Sequence, residues 1–414
     1  MITISALQRF PKPEFSIPYD TPLIQVPIPK SMVLEYLDVL VLFASLSVIT
    51  WLILKKRSRK GVFWLTVFSL IYFGLYRKGC VCAVGSLQNI TFCLFNPEYR
   101  MPISVIAFFL LPLAFTLFFG RTFCAGICPL GAIQDLFVLR PVKIKSWLGS
   151  ILGLLPFIYL GLAVLFSATG TDFVICRFDP FVGIFRLNAS FMMLAAGGIL
   201  LLTGVFIARP YCRFLCPYGV ILNLISRVSG KHLTITPANC IKCRLCENSC
   251  PFDAIQKPEV KKLPSAVSSQ QSVDNSQISI HKIHSVYLIL VLLLFTIAGG
   301  WVGGMFHENL AELNPKVRLA HALLNRANSQ VAALSPELQA YSSSGKSDVK
   351  LYSEAASIIR KFHIGGWILG GFIGLVFGIK LANLSGIKKV TEYTPDKGSC
   401  LSCGRCMEYC PVKK

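Results

Sequence analysis

Two cysteine runs constrain this chain more than any other feature. Cys240-x2-Cys243-x2-Cys246-x3-Cys250-Pro251 recurs as Cys400-x2-Cys403-x2-Cys406-x3-Cys410-Pro411. Three thiols at two-residue intervals wrap one face of a [4Fe-4S] cubane. The fourth, three residues further on and followed by proline, turns to a neighbouring cubane. The spacing predicts one cluster on Cys240, Cys243, Cys246 and Cys410, and a second on Cys400, Cys403, Cys406 and Cys250. Zinc knuckles and disulfides are the competing readings. The doubled 2-2-3 spacing, with proline after each last cysteine, disfavours both. Cross-ligation also requires the two runs to meet in one folded unit, across everything that lies between Cys250 and Cys400.

What lies between them is apolar. The 414 residues are 54% hydrophobic and only 15% charged, well below the charge content of soluble domains. Disorder, collagen, coiled coil and a small disulfide scaffold are excluded. Seven apolar stretches approach the length that ~30 Å of hydrocarbon requires: roughly 33–54, 61–76, 101–120, 147–167, 190–208, 284–301 and 362–382. Two of them separate the cysteine runs, and two crossings return the chain to the same side. The net charge of +21 forms no basic stripe with interleaved aromatics, so no nucleic-acid partner is expected. A basic inner side explains it better. The run Lys55-Lys56-Arg57-Ser58-Arg59-Lys60 places the end of the first span inside. Alternation then puts 55–60, 121–146, 209–283 and 380–414 inside, with 26 of the 41 Lys and Arg residues. The expectation is a multi-pass protein of a bacterial-type cytoplasmic membrane, with its N-terminus outside and its iron–sulfur unit and C-terminus in the cytoplasm. The proline-rich first 30 residues carry no cleavable leader pattern.

Eight cysteines remain. Tyr211-Cys212-Arg-Phe-Leu-Cys216-Pro-Tyr-Gly219 repeats the pattern of Phe123-Cys124-Ala-Gly-Ile-Cys128-Pro-Leu-Gly131, each at the inner end of a span. Weaker echoes stand at the outer ends, in Cys80-Val-Cys82-Ala-Val-Gly85 and Cys176-Arg-Phe-Asp179-Pro180. Residues 61–230 therefore read as a duplicated two-span unit. Buried, inert cysteine is the ordinary reading of any one such residue, and is preferred for Cys93. A repeated set of four thiols suits a cluster or a soft metal. Cys124, Cys128, Cys212 and Cys216 are the candidate inner site. Cys80, Cys82 and Cys176 are a candidate outer site that Cys93 or Asp179 would complete, with a disulfide as the rival. A helix of about 20 residues is roughly 30 Å long, so the two sites are expected about that far apart.

The expected organisation is an outer arm over 1–32 and a five-span membrane domain over 33–230. The first half of the iron–sulfur unit follows over 231–255, then a serine-rich linker over 256–283. A two-span hairpin over 284–382 carries an outer helical insert over 302–361, and 383–414 is the second half. Gly299, Gly303, Gly366, Gly370, Gly374 and Gly378 are spaced for close helix approach. His307 and His363 fall near the outer ends of the hairpin; interfacial histidines bonded to carbonyls are preferred there over haem ligands. No nucleotide loop, catalytic triad or H-E-x-x-H motif is present.

Two Cys-x3-Cys-Pro loops at span ends, followed by the doubled four-cysteine run, resemble the NapH/NosR-type membrane polyferredoxins. The resemblance covers most of 33–255 and 396–414. It implies an α-helical integral membrane protein of about seven spans with a cytoplasmic two-cluster ferredoxin domain. It also implies an electron-transfer component of bacterial respiratory chains, tied to nitrate or nitrous oxide reduction or related maturation. About 30 residues precede the first span where NosR carries a flavin-binding domain, so flavin is expected on a separate partner. The outer insert of about 60 residues departs from NapH. The expected role is an electron relay between the ferredoxin domain and cysteine-bound centres in the membrane, as a subunit rather than a stand-alone enzyme. Expected partners are a flavin-binding or quinone-linked redox protein and a terminal reductase on the outer side. A copper-reducing or metalloenzyme-assembly factor, and a redox-responsive membrane regulator, are the alternatives.

Overall fold

A computed structural model describes residues 32–412, apart from 80–81, 140, 188, 236–239, 242, 257, 259–275, 329–337, 339–340, 342–346 and 386–392. The expected outer arm, most of the serine-rich linker and Cys80 lie outside the described residues. The described chain is helical except for one two-stranded ribbon.

Helix α1 (Met32–Trp51) runs into a π-helical turn, Leu52–Lys56, and stops at Arg57 in the left-handed conformation. Ser58 then caps α2 (Arg59–Ser69) by accepting from the Gly61 amide at 3.3 Å, and a second π segment, Leu70–Tyr76, completes the return. Asp38 on α1 is buried against this segment, where it takes the Tyr72 hydroxyl at 2.9 Å and pairs with Arg77. A charge at membrane depth is tolerated only when so partnered. After α3 (Ala83–Phe95) and α4 (Ile103–Phe119), α5 (Thr122–Gly126) and α6 (Pro129–Phe137) form a tight corner. After α7 (Ser146–Leu152) and α8 (Leu155–Ala168), the corner pattern returns in α9 (Val174–Phe178) with α10 (Pro180–Arg186). It returns again, beyond α11 (Phe191–Phe206), in α12 (Pro210–Phe214) with α13 (Pro217–Ser226).

The ferredoxin unit holds α14 (Leu245–Ser249) and β1 (Ile255–Gln256) in its first half. Its second half holds β2 (Thr394–Pro395) and a terminal helical turn (Arg405–Glu408). The strands pair antiparallel, Ile255 with Pro395 and Gln256 with Thr394, and so join the two halves. Between them the hairpin rises as α15 (Ser276–Met305), crosses α16 (His307–Ala311) and α17 (Pro315–Asn328), and returns as α18 (Asp348–Ser385).

Among the described residues, three helices are long and apolar enough to cross a membrane: Val33–Lys56, Trp147–Ala168 and Asp348–Ala382. A fourth results if Pro180–Arg186 and Phe191–Phe206, bent by 113°, count as one. Of the other expected spans, 101–120 answers to the shorter apolar helix Ile103–Phe119, and 284–301 lies within the 30-residue α15. Helix α4 runs through Pro112 and ends at Gly120, where the first inner cysteine corner begins.

The hairpin helices pack backbone to backbone. A Cβ added at Gly303 would strike the Gly366 carbonyl, and one at Gly370 the Gly299 carbonyl. His307 and His363 meet edge to face with ring centroids 4.7 Å apart, and His307 Nδ1 lies 2.6 Å from the Gly304 carbonyl. The rings touch each other, which leaves no slot for a macrocycle between them.

Candidate iron–sulfur sites and the buried thiol set

Each ferredoxin loop encloses a cavity. The first, about 20 Å³, is lined by Cys240, Cys243, Cys246 and Cys410. The second, also about 20 Å³, is lined by Cys250, Cys400, Cys403 and Cys406. The fourth cysteine of each run thus borders the other run's cavity, because the β1–β2 ribbon brings the two loops side by side. Among the described residues no three metal-ligating side chains are grouped tightly enough for a single ion. Four thiols around an open cavity suit a multi-iron core instead. Burial pushes the Cys400 thiol up to about 12, and burial with the neighbouring Cys403, Cys400, Cys250 and Cys246 raises Cys406 further. These sulfurs hold protons until a metal displaces them.

The second cavity lies against the membrane domain. Cys124 packs in one apolar cluster with Cys250, Cys400, Cys403, Phe252 and Leu401. Two arginines bridge the boundary. Arg121 donates to the Gly398 carbonyl at 3.0 Å and approaches Cys124 Sγ at 3.8 Å. Arg209, fully buried, donates to the carbonyls of Cys124 and Ala125 and lies over the Phe252 ring. Asp135 offsets this positive charge. It contacts Arg59 at 2.9 Å, Arg209 at 3.4 Å and Arg405 of the ferredoxin unit at 3.8 Å. Desolvation raises its pKa, but the guanidiniums of Arg209, Arg59 and Arg405 outweigh that and hold the carboxyl well below the usual carboxylate range.

The inner thiols come from two corners of the chain. Cys128 is the N-cap of α6, and Cys216 is the N-cap of α13, its sulfur 3.3 Å from the Gly219 amide. Proline at the first helical position suits both starts. Cys124 and Cys212 project from α5 and α12, and Gln134 Nε2 stands 3.5 Å from Cys212 Sγ. Cys128 lies close enough to Cys212, Cys216 and Cys124 for their charges to interact.

The expected 30 Å between inner and outer thiols is corrected by the structure. Cys128 also lies within interaction range of Cys82, and Cys82 of Cys176. The Tyr211 hydroxyl, one residue from Cys212, bonds the carboxylate of Asp179. The cysteine corners sit at the ends of short helices that enter the protein interior, so no full-length helix separates the two sets. Two candidates for completing the outer site are engaged elsewhere. Cys93 donates to the Tyr99 carbonyl at 3.3 Å near the other end of α3. Asp179 caps α10 by accepting from the Phe181 and Val182 amides.

Models described as 4Fe-4S binding domains match residues 101–147 and 189–236, one Cys-x3-Cys-Pro corner in each segment, and residues 233–256 of the first ferredoxin loop. The chain is similar to NapH/NosR-type 4Fe-4S membrane proteins. It is 27% identical to an uncharacterized protein of Methanocaldococcus jannaschii over 44% of this chain and 77% of that one. It is 25% identical to the putative electron transport protein YccM of Escherichia coli over 41% and 52%. It is 26% identical to the regulatory protein NosR of Pseudomonas aeruginosa over 49% and 30%. The match thus spans about half of YccM and a third of NosR. No solved structure matches the chain.

Sequence reasoning missed the groups that hold these thiols. Arg121, Arg209, Asp135 and Gln134 are all buried. Two signals were present: an arginine stands three residues before Cys124 and before Cys212, and a glutamine six residues after Cys82 and after Cys128. A cavity of about 790 Å³ opens beside α9, between Phe166, Val174, Arg177 and Phe178 on one side and Arg318 and His321 of α17 on the other.

Proposed function

We propose that the chain relays electrons between two ferredoxin clusters and a thiolate-bound centre inside the membrane domain. The observation that carries this is the apolar cluster of Phe252, Leu401 and Cys403, against which Cys124, Cys250 and Cys400 all pack. Each [4Fe-4S] cluster, when bound, supplies one-electron redox chemistry. Cys240, Cys243, Cys246 and Cys410 hold one, and Cys400, Cys403, Cys406 and Cys250 the other. Cys124, Cys128, Cys212 and Cys216 hold a further iron–sulfur or soft-metal centre, the donor set such metals prefer. Arg121 and Arg209 offset thiolate charge, Gln134 orients Cys212, and the surrounding aromatic residues exclude water. The ferredoxin domain faces the cytoplasm of a bacterial-type inner membrane, in keeping with the distribution of basic residues. The cavity beside α9 is lined by apolar side chains such as Phe166 and Val174 together with charged ones such as Arg177, the composition of a small-molecule site. A lipid-soluble quinone is the carrier proposed there, with a flavin-binding protein or an outer reductase as further partners.

The deciding experiment is iron, copper and acid-labile sulfide analysis of purified protein with electron paramagnetic resonance. The comparison variant carries Cys124, Cys128, Cys212 and Cys216 changed to Ser. About eight irons belong to two cubanes; metal above that, lost in the variant, is expected. Eight irons in both proteins, with unchanged electron transfer, sinks the membrane centre. Copper lost without iron favours the assembly-factor reading.

A further inference from the structure

The outer thiols repeat the inner frame atom by atom. Cys82 is the N-cap of α3 as Cys128 is of α6. Three residues on, a Cβ at Gly85 would lie 3.5 Å from Cys176 Sγ, and one at Gly131 would lie 3.5 Å from Cys212 Sγ. Three further on, Gln88 Oε1 accepts from the Ile175 amide at 3.0 Å, and Gln134 Oε1 from the Tyr211 amide at 3.0 Å. Each of those amides immediately precedes a cysteine. Cys82 therefore stands to Cys176 as Cys128 stands to Cys212.

Two elements differ, the second cap and the glutamine head. Gln134 Nε2 meets the Leu130 carbonyl and Cys212 Sγ. Gln88 is wholly buried, and its Nε2 has no hydrogen-bond partner. The bond from Ile175 holds this amide head at the Cys176 loop. A buried donor calls for an acceptor, and a metal-bound thiolate or sulfide at Cys176 supplies one.

We infer that Cys82 and Cys176 hold a second thiolate-ligated centre, of the same thiophilic metal class as the inner quartet and adjacent to it. The inference rests on the reading of the quartet as a metal centre. Asp179 occupies the place that Cys216 has in the inner frame, one residue nearer its cysteine. Its carboxylate is taken by the Phe181 and Val182 amides and the Tyr211 hydroxyl. The outer centre is thus poorer in thiolate than the inner one and is coupled to it through Tyr211. It also lies on the helix whose Val174, Arg177 and Phe178 line the cavity.

The test uses full-length protein, stripped and then reloaded anaerobically with ferrous iron plus sulfide, or separately with cuprous ion. Metal content and paramagnetic or absorption spectra are compared for wild type, the Cys82→Ser/Cys176→Ser pair, the quartet variant and Gln88→Leu. The pair variant is expected to lose metal while keeping both ferredoxin signals and the quartet's metal. Gln88→Leu is expected to keep the metal with a shifted spectrum. Alkylation of wild type is expected to spare Cys82 and Cys176 only when the protein is loaded, a readout that survives poor folding of the variants. Equal metal and spectra in the pair variant and wild type, equal alkylation in loaded and stripped protein, or a Cys82–Cys176 disulfide in the loaded protein overturns the inference. A quartet variant that loses no metal sinks the quartet reading instead, so the two failures are separable.

Discussion

At the scale of single residues, buried charge governs the junction between the two parts of the protein. Arg209 is fully buried and relies on Asp135. Removing one partner of such a pair leaves an uncompensated charge and costs about 3–5 kcal/mol. Asp135→Asn should therefore lower thermal stability and release the ferredoxin unit, read by the melting temperature and by protease access to Arg405. The pH dependence has a definite sign. The folded carboxyl titrates below its unfolded value of about 3.9. Its contribution is complete above that value and lost as pH falls through the folded pKa. Unfolding followed below about pH 4 should thus show an acid-labile component that Asp135→Asn lacks. The thiols run the other way. Cys400, pushed up to about 12 by burial, keeps its proton at neutral pH, so iron uptake by the apo-protein should strengthen as pH rises. Pulse loading at a series of pH values checks this; uptake independent of pH contradicts it.

At the scale of elements, the cysteine corners and the glycine seam do different work. Each corner is a short helix ending in a cysteine or aspartate cap, then a second helix starting at the cap. Prolines at 129, 180 and 217 mark three of these starts, and they were legible in the sequence because proline suits the first helical turn. The glycine seam was legible as spacing, but its consequence is geometric. Gly299 and Gly303 meet Gly366, Gly370 and Gly374 through backbone atoms, which have no rotamer by which to yield. Gly303→Leu should separate α15 from α18, at a cost at or above the ~1–3 kcal/mol of ordinary overpacking. Gly198→Ala, with nothing within 4 Å of the new Cβ, is the matched control. Equal stability of the two variants would contradict the seam.

At the scale of the whole molecule, the ferredoxin unit is shared between distant parts of the chain. Each cavity takes three cysteines from one run and one from the other. A chain ending before residue 393 should therefore lose both clusters rather than one, and iron should fall from about eight toward none. Retention of about four would refute cross-ligation. The matching single variants are diagnostic: Cys410→Ser should disturb the cluster of the first run, and Cys250→Ser that of the second, each resolved by its own paramagnetic signal.

The sequence by itself determined which four cysteines line each ferredoxin cavity, because their spacing is a local property of two tight loops. It also determined the helical class, through long apolar stretches, and the meeting of the two halves. It placed Cys82 and Cys128 about a membrane apart, since it counted residues along helices taken as straight and complete. Only the tertiary structure decided that the corners enter the interior together, that Cys124 packs on the ferredoxin unit, and that Asp135, Arg121 and Arg209 hold that contact. Those are long-range contacts between buried polar groups and short helices. Their partners lie anywhere from three to more than 270 residues apart in the chain, and no periodicity announces them.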